Sequence, residues 1–84
     1  MGKTIAKKTI ILYVFKLLYK GSSKEKPVTL TQITHVLNSI GVSCDRKTVA
    51  RNVGYLLEFG LPIQKMTGRN AGYYYDKTKD DFFN

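Results

Sequence analysis

The segment from Asp45 to Gly60 constrains the fold most, because it carries signals for both ends of one helix. Asp45 suits a helix start, since its carboxylate accepts from free backbone N–H groups and favours the positive end of the helix dipole. Gly60 suits the left-handed conformation that ends a helix, Leu61 is expected to pack back on the last turn, and Pro62 prevents continuation. Between them an apolar stripe recurs at helical spacing, formed by Val49, Val53, Leu56 and Leu57. The segment therefore predicts an amphipathic helix with one face in a core.

A second helix is predicted just upstream, over residues 29–40. Thr29 and Gln32 have the spacing of a capping box, in which each side chain accepts from the backbone of the other. The expected core-facing stripe is Ile33, Val36, Leu37 and Ile40. Gly41 is expected to end this helix, Val42 to fill the space between the helices, and Cys44 to be a small buried hydrophobe. A short helix, a tight turn and a longer helix are typical of a helix-turn-helix.

The first helix is predicted within residues 1–20, starting near residue 4, and it is apolar on nearly all sides. One face carries Ala6, Ile10, Val14 and Leu17 and is widened by Ile11 and Leu18, and the other side carries Leu12, Phe15 and Tyr19. A helix of this kind is buried on more than one side, which favours a homodimer through helix 1. The alternative is that Phe82 and Phe83 fold back and cover it. The apolar run is about ten residues long, against the roughly 20 that a bilayer requires, so no membrane span is expected.

After Pro62 the pattern changes to that of strands. Residues 63–66 and 73–76 read as two short strands, and the Gly- and Asn-rich residues 67–72 between them suit a hairpin loop. Side chains alternate along a strand, so two of Tyr73, Tyr74 and Tyr75 are expected to pack on the helices and one to face outward. The sequence thus predicts an α+β fold, a winged helix-turn-helix with three helices followed by a two-stranded β-hairpin wing.

One domain of residues 1–84 is expected, with helix 1 over 1–20, a connector over 21–28, the helix-turn-helix over 29–59, the wing over 62–76 and a tail over 77–84. The net charge is +8, from 14 Lys and Arg against 6 Asp and Glu. So basic a small chain favours a polyanionic partner, nucleic acid before a membrane surface. Cys44 is the single cysteine and His35 the single histidine, so no disulfide and no metal site are expected. This composition predicts a cytoplasmic protein.

No catalytic site is expected. The six acidic residues are scattered, and the sequence holds no Gly-rich phosphate loop and no nucleophile with a histidine and an acid in a convincing context. We therefore predict that the chain is not an enzyme and carries no cofactor.

The predicted third helix carries donors on its outer face. Lys47 and Arg51 project opposite the core, with Thr48 and Tyr55 beside them, and such side chains donate to guanine edges and to phosphates. Arg46 lies nearer the core, so it is expected to meet a phosphate or an acid. Gly54 is expected to project between the directions of Lys47 and Arg51, either for close approach of DNA or another helix, or as a tolerated weak position. On the hairpin, Lys65, Arg69 and Asn70 are predicted to contact the minor groove or the backbone.

The chain also resembles the N-terminal winged helix-turn-helix of bacterial WYL-domain transcriptional regulators. The resemblance rests on Pro27-Val28-Thr29-Leu30-Thr31-Gln32-Ile33, Asp45-Arg46-Lys47-Thr48-Val49 and Gly72-Tyr73-Tyr74-Tyr75. It implies that the helix after the turn enters the major groove and that Arg46, Lys47, Thr48 and Arg51 read DNA. Ala50 stands where that family often has an aromatic residue, and Asn52 stands where it often has an acid. The resemblance therefore does not fix which bases this helix prefers. The ligand-sensing domain that usually follows in that family is not among these 84 residues.

The expected function is therefore sequence-specific binding of double-stranded DNA by a transcriptional regulator. One rival is a stand-alone protein-interaction module, for example an inhibitor or adaptor of a nucleic-acid enzyme encoded by a mobile element. A second rival is the binding of single-stranded or structured RNA through the adjacent tyrosines, whose rings can stack on unpaired bases.

Overall fold

The computed structural model of the protein describes residues 9–79. Within them the elements are α1 (Ile10–Gly21), α2 (Leu30–Ser39), α3 (Arg46–Phe59), β1 (Ile63–Met66) and β2 (Gly72–Tyr75), with short 3-10 turns at Gly68–Asn70 and Lys77–Lys79. β1 and β2 pair antiparallel, with Ile63 opposite Tyr75 and Met66 opposite Gly72. Three helices followed by a two-stranded hairpin confirm the predicted α+β winged helix-turn-helix.

Both ends of α3 follow from local sequence. The Asp45 carboxylate accepts from the Thr48 N–H at 2.8 Å. At the other end Gly60 has a φ of 106°, and the Leu61 N–H donates to the Leu56 carbonyl at 3.2 Å. This is the hydrogen bond of a Schellman motif, and Leu56 and Leu61 are both buried in the core. The predicted helix start and stop are confirmed.

The start of α2 is equally well defined. The Thr29 hydroxyl accepts from the Gln32 N–H at 3.0 Å, and the Gln32 side chain accepts from the Thr29 N–H at 2.9 Å, which confirms the capping box. After the helix Gly41 has a φ of 92°, the left-handed region that favours glycine. Val42 is then buried between the helices, and its N–H donates to the Leu37 carbonyl at 2.8 Å.

The core lies between the three helices and is closed by the hairpin. Its buried hydrophobic residues are Ile10, Val14 and Leu18 of α1, Ile33 and Leu37 of α2, Val49, Val53 and Leu56 of α3, and Val42, Leu61, Ile63 and Tyr75. Three predicted core residues are exposed instead: Val36, Ile40 and Leu57. In so small a core only a narrow stripe of each helix is covered, and these residues lie beside that stripe or past the helix end.

Helix α1 is less enclosed than its composition predicts. Leu18 is buried, Leu17 on the expected core face is only half-buried, and Leu12 is 64 % exposed. Phe15 and Tyr19 face the hairpin and meet the Tyr75 ring edge-on, with centroids 5.9 and 4.9 Å apart. The predicted start near residue 4, and the alternative cover by residues 82–83, lie outside the described residues. No helix within residues 9–79 has the length and apolarity to cross a membrane.

The hairpin is tied to the rest of the fold at two points. Val28 and Tyr73 form an isolated antiparallel bridge, with N–H to carbonyl distances of 2.8 and 2.7 Å. Gly72 has a φ of 148°, and a Cβ there would lie 2.8 Å from the Val28 carbonyl oxygen, so glycine permits this approach. The Tyr75 N–H also donates to the Ser22 hydroxyl at 3.0 Å.

Candidate nucleic-acid interface

The outer face of α3 carries the two cations that the sequence predicts for base contacts. Lys47 and Arg51 are exposed and lie one turn apart, opposite the buried Val49 and Val53. Gly54 continues the same face, and a Cβ added there would meet nothing within 4 Å. Within residues 9–79 the space in front of these residues is therefore open to a partner.

A groove separates the start of α3 from the hairpin, and we call it the α3–hairpin groove. It has a volume of about 360 Å³ and is lined by Arg46, Lys65, Thr31 and Thr67 among other residues, with no acidic side chain in its walls. Arg46 is exposed there, and no acidic side chain of residues 9–79 forms an ion pair with it. Of the two partners predicted for Arg46, the acid is thus not found in the described part of the chain, and phosphate remains the prediction.

Arg69 does not join that groove. It lines a separate cavity of about 890 Å³ between the hairpin tip, the connector and the start of α2, together with Lys26, Glu25 and His35. The two cavities share Thr29, Thr31 and Ala71 in their walls, so they are neighbours across the hairpin tip. Asn70 lies in the short 3-10 turn at the tip, and its side chain is outside the described part of the structure.

Thr48 and Tyr55 face α1 and not the hairpin. Together with Arg51, Ser43, Asn52, Ile10 and Ile11 they line a cavity of about 390 Å³ between α1 and α3. Asn52 is 8 % exposed, and its amide donates to the Thr48 carbonyl at 2.8 Å, which satisfies one buried polar group of this side chain. Arg51 therefore lies on the α1 side of the outer face, while Arg46 lies on the hairpin side.

The turn before α3 holds an ionised carboxylate. Hydrogen bonds from the backbone N–H and the hydroxyl of Thr48, with a smaller contribution from the Lys47 charge, lower the pKa of Asp45. Burial, and then the Asp45 charge, raise the pKa of the neighbouring Cys44 thiol. A raised pKa disfavours the thiolate, so the half-buried Cys44 fits the predicted packing role.

The tyrosines of β2 are mostly committed to packing. Tyr75 is 3 % exposed, and Tyr73 packs against the core from the same strand face, while Tyr74 lies on the opposite face and is half-buried. This matches the predicted alternation. Since Phe15 and Tyr19 contact the Tyr75 ring, it is not accessible for stacking on unpaired bases.

Among the polar residues that line these cavities, Lys26, Thr31 and Thr67 were not predicted as site residues from the sequence. A signal for Thr31 was available, because the capping box fixes Thr29 as the residue before α2 and so places Thr31 in the first exposed turn. Lys26 lies beside the hairpin tip because the connector pairs with the hairpin through Val28 and Tyr73, which no local pattern predicts.

Within residues 9–79 no three His, Cys, Asp or Glu side chains lie close enough together to hold a metal ion. No protein-family model, no curated protein and no solved structure matches this chain. The functional interpretation therefore depends on the geometry and charge described above.

Proposed function

We propose that this chain binds double-stranded DNA sequence-specifically and acts as a transcriptional regulator in the cytoplasm. The observation that carries the proposal is the acid-free α3–hairpin groove, where Arg46 and Lys65 come together from distant parts of the sequence. It lies beside the exposed Lys47 and Arg51. The resemblance to the DNA-binding domain of WYL-domain regulators supports the same function.

The dimensions of α3 suit the major groove of DNA. A helix of 14 residues is about 21 Å long, and the major groove, about 12 Å wide, admits it. Lys47 and Arg51 are one turn apart, about 6 Å along the helix, which is close to two base-pair steps of about 3.4 Å. In this arrangement Lys47 and Arg51 contact base edges, and Thr48 and Tyr55 contact the phosphates on the α1 side.

Arg46 and Lys65 would grip a phosphate strand in the α3–hairpin groove, with hydroxyl donors from Thr31 and Thr67 beside them. Such contacts fix the register of the protein on the duplex and carry no sequence information themselves. Arg69 would lie over the next part of the same strand or in the minor groove, since its cavity adjoins the groove at the hairpin tip.

The test is selection of bound sequences from a random duplex pool at near-physiological salt, followed by titration of the enriched duplex. We expect a recovered motif, and we expect Lys47→Glu and Arg51→Glu to abolish specific binding while the circular dichroism spectrum is unchanged. Lys20→Glu is the matched control, because it makes the same charge change at an exposed position of α1. Equal losses in Lys20→Glu and Lys47→Glu would show that only net charge matters, and would contradict the assignment of α3.

A second comparison addresses the wing. Arg69→Ala is expected to weaken binding less than the α3 variants do, and to do so more on duplexes with A·T-rich flanks, whose narrow minor groove attracts Arg. An effect confined to G·C-rich flanks would contradict the wing assignment. Equal affinity for a single strand of the selected sequence would favour the RNA-binding or single-strand rival over duplex reading.

A further inference from the structure

A second cationic cavity adjoins the α3–hairpin groove at the hairpin tip, and we call it the connector cavity. It has a volume of about 890 Å³, and the charged or titratable residues of the described chain that line it are Glu25, Lys26, His35 and Arg69. All four residues are exposed. None of them forms an ion pair with another described residue, although Glu25 shares the cavity with Lys26 and Arg69. Two permanent cations therefore accompany one acid, a positive balance that protonation of His35 would increase.

The polar wall at the start of α2 adds hydrogen-bond donors. The Gln32 side-chain oxygen already accepts from the Thr29 N–H at 2.9 Å, so the amide N–H groups of Gln32 remain to donate. The Thr29 hydroxyl accepts from the Gln32 N–H at 3.0 Å, and its own O–H also remains to donate. Neither side chain donates to another residue among 9–79. Donors and cations together favour an anion, and phosphate oxygens accept from both.

We propose that the connector cavity binds a phosphate of the DNA backbone, through Lys26 and the protonated imidazole of His35. The position of the cavity favours the duplex as the source of that phosphate. Its wall shares Thr29, Thr31 and Ala71 with the α3–hairpin groove, so a strand held in the groove continues past the hairpin tip into the connector cavity. This inference rests on the proposed function, and it extends the DNA interface to the connector and the middle of α2.

His35 makes the phosphate contact depend on pH. Histidine is the side chain whose charge changes between about pH 5 and 8, and His35 is the single histidine of the chain. The groups that share the cavity with it are Lys26 and Glu25 of the connector and Arg69 of the hairpin tip, and α2 carries no other charged side chain. A phosphate favours the imidazolium over the neutral ring, so duplex binding takes up a proton. By linkage, lower pH strengthens duplex binding and higher pH weakens it.

The first test separates the connector cavity from net charge. Lys26→Gln is expected to weaken binding about three- to tenfold at near-physiological salt, equally on selected and unselected duplexes, and to lower the salt slope by about one. Lys24→Gln is the matched control, because it removes the same charge at an exposed position of the connector that does not line the cavity. We expect this control to stay within about twofold of wild type. Glu25→Gln is expected to strengthen binding, since it removes the acid beside the phosphate.

The second test uses pH. Between about pH 8 and pH 6 the affinity of wild type is expected to rise about threefold or more relative to that of His35→Gln, a comparison that cancels the titration of every other group. In the NMR spectrum the His35 imidazole signals are expected to shift with the duplex, and not with the same concentration of inorganic phosphate. A shift of equal size with inorganic phosphate would assign the cavity to free phosphate compounds and overturn the backbone contact.

Failure of this inference can be told apart from failure of the proposed function. If wild type binds the selected duplex but Lys24→Gln and Lys26→Gln lose equal affinity, the proposed function stands and the connector cavity is not a phosphate site. The same conclusion follows if His35→Gln keeps the full pH dependence of wild type. If wild type binds no duplex at all, both the proposed function and the phosphate site are wrong.

Discussion

The side chain of Asn38 exchanges two hydrogen bonds with the backbone of Cys44 across the turn that joins α2 to α3. Its carbonyl oxygen accepts from the Cys44 N–H at 3.3 Å, and its amide donates to the Cys44 carbonyl at 3.1 Å. The same amide donates to the Thr34 carbonyl at 3.0 Å. One side chain thus joins the last turns of α2 to the residue just before the Asp45 cap, and it helps to set the angle at which α3 leaves the turn.

Replacing Asn38 should therefore affect both stability and binding. We expect Asn38→Ala to lower the free energy of unfolding by about 1–2 kcal/mol, since backbone groups of Cys44 lose their partners. Urea denaturation measures this, and Ser39→Ala, a neighbouring exposed change, is the control. If the turn positions α3, the Asn38→Ala protein binds the selected duplex more weakly than wild type, even under conditions in which both are fully folded. Identical denaturation curves for the two variants would show that the turn holds its shape without Asn38.

Gly54 offers a test that separates folding from recognition. A Cβ there meets nothing in the described protein, so Gly54→Ala is expected to stabilise α3 by about 1 kcal/mol and to raise Tm by roughly 4–8 °C. The new methyl group would project from the same outer face, one turn beyond Arg51, so we expect weaker duplex binding from the more stable protein. Thermal denaturation and a binding titration on one sample measure both effects. Higher stability with unchanged affinity would mean that DNA does not approach Gly54.

The lowered pKa of Asp45 fixes the sign of its pH dependence. Its ionised form is stabilised in the folded state by Thr48, so its contribution is present above the unfolded pKa of about 3.9 and is lost as pH falls through the lower folded pKa. Asn at this position caps a helix without titrating. We expect wild type to be more stable than Asp45→Asn at neutral pH, with the difference shrinking below about pH 4.

Chemical denaturation of both proteins between neutral and strongly acidic pH measures that difference. Asp76→Asn is a second variant for comparison. The Thr78 hydroxyl also lowers the pKa of Asp76, and Asp76 lies outside α3. Stability curves for wild type and Asp45→Asn that run parallel through the acid range would show that Asp45 does not contribute through its charge.

Gly72 should be the least replaceable residue of the hairpin. Its φ of 148° and the 2.8 Å approach of a Cβ to the Val28 carbonyl both oppose a side chain. We expect Gly72→Ala to destabilise the fold by about 1–3 kcal/mol, and to lose hydrogen-exchange protection at the Val28 and Tyr73 amides first. Gly68→Ala is the control, since Gly68 also has a positive φ but a Cβ there meets nothing within 4 Å. Equal losses of stability in Gly72→Ala and Gly68→Ala would mean that the cost comes from the positive φ alone and not from the contact with Val28.

The features predicted correctly from sequence are those set by neighbours in the chain. Asp45 and Gly60 mark the ends of α3, and Thr29 with Gln32 marks the start of α2, because each signal acts within one turn. The exposure of Val36 and Leu57 was missed, since the width of a buried stripe depends on what the other helices cover.

The site divides in the same way. Lys47 and Arg51 follow from helical geometry alone, whereas the grouping of Arg46 with Lys65 requires the hairpin to fold back beside α3. Nothing local indicates that Arg69 would lie on the far side of the tip. Helical spacing places Asn52 on the buried face, three residues after Val49 and four before Leu56, but its polar amide argued against burial. The hydrogen bond from that amide to the Thr48 carbonyl makes the position tolerable.

The bridge between Val28 and Tyr73 has a mechanical consequence. Val28 directly precedes Thr29, which caps α2, so the hairpin and the first turn of α2 are linked by a single peptide unit. A load that bends the hairpin is transmitted to that cap and along α2 toward the turn before α3. The hairpin is therefore coupled to α2, and a partner that displaces the hairpin would tilt α2 as well.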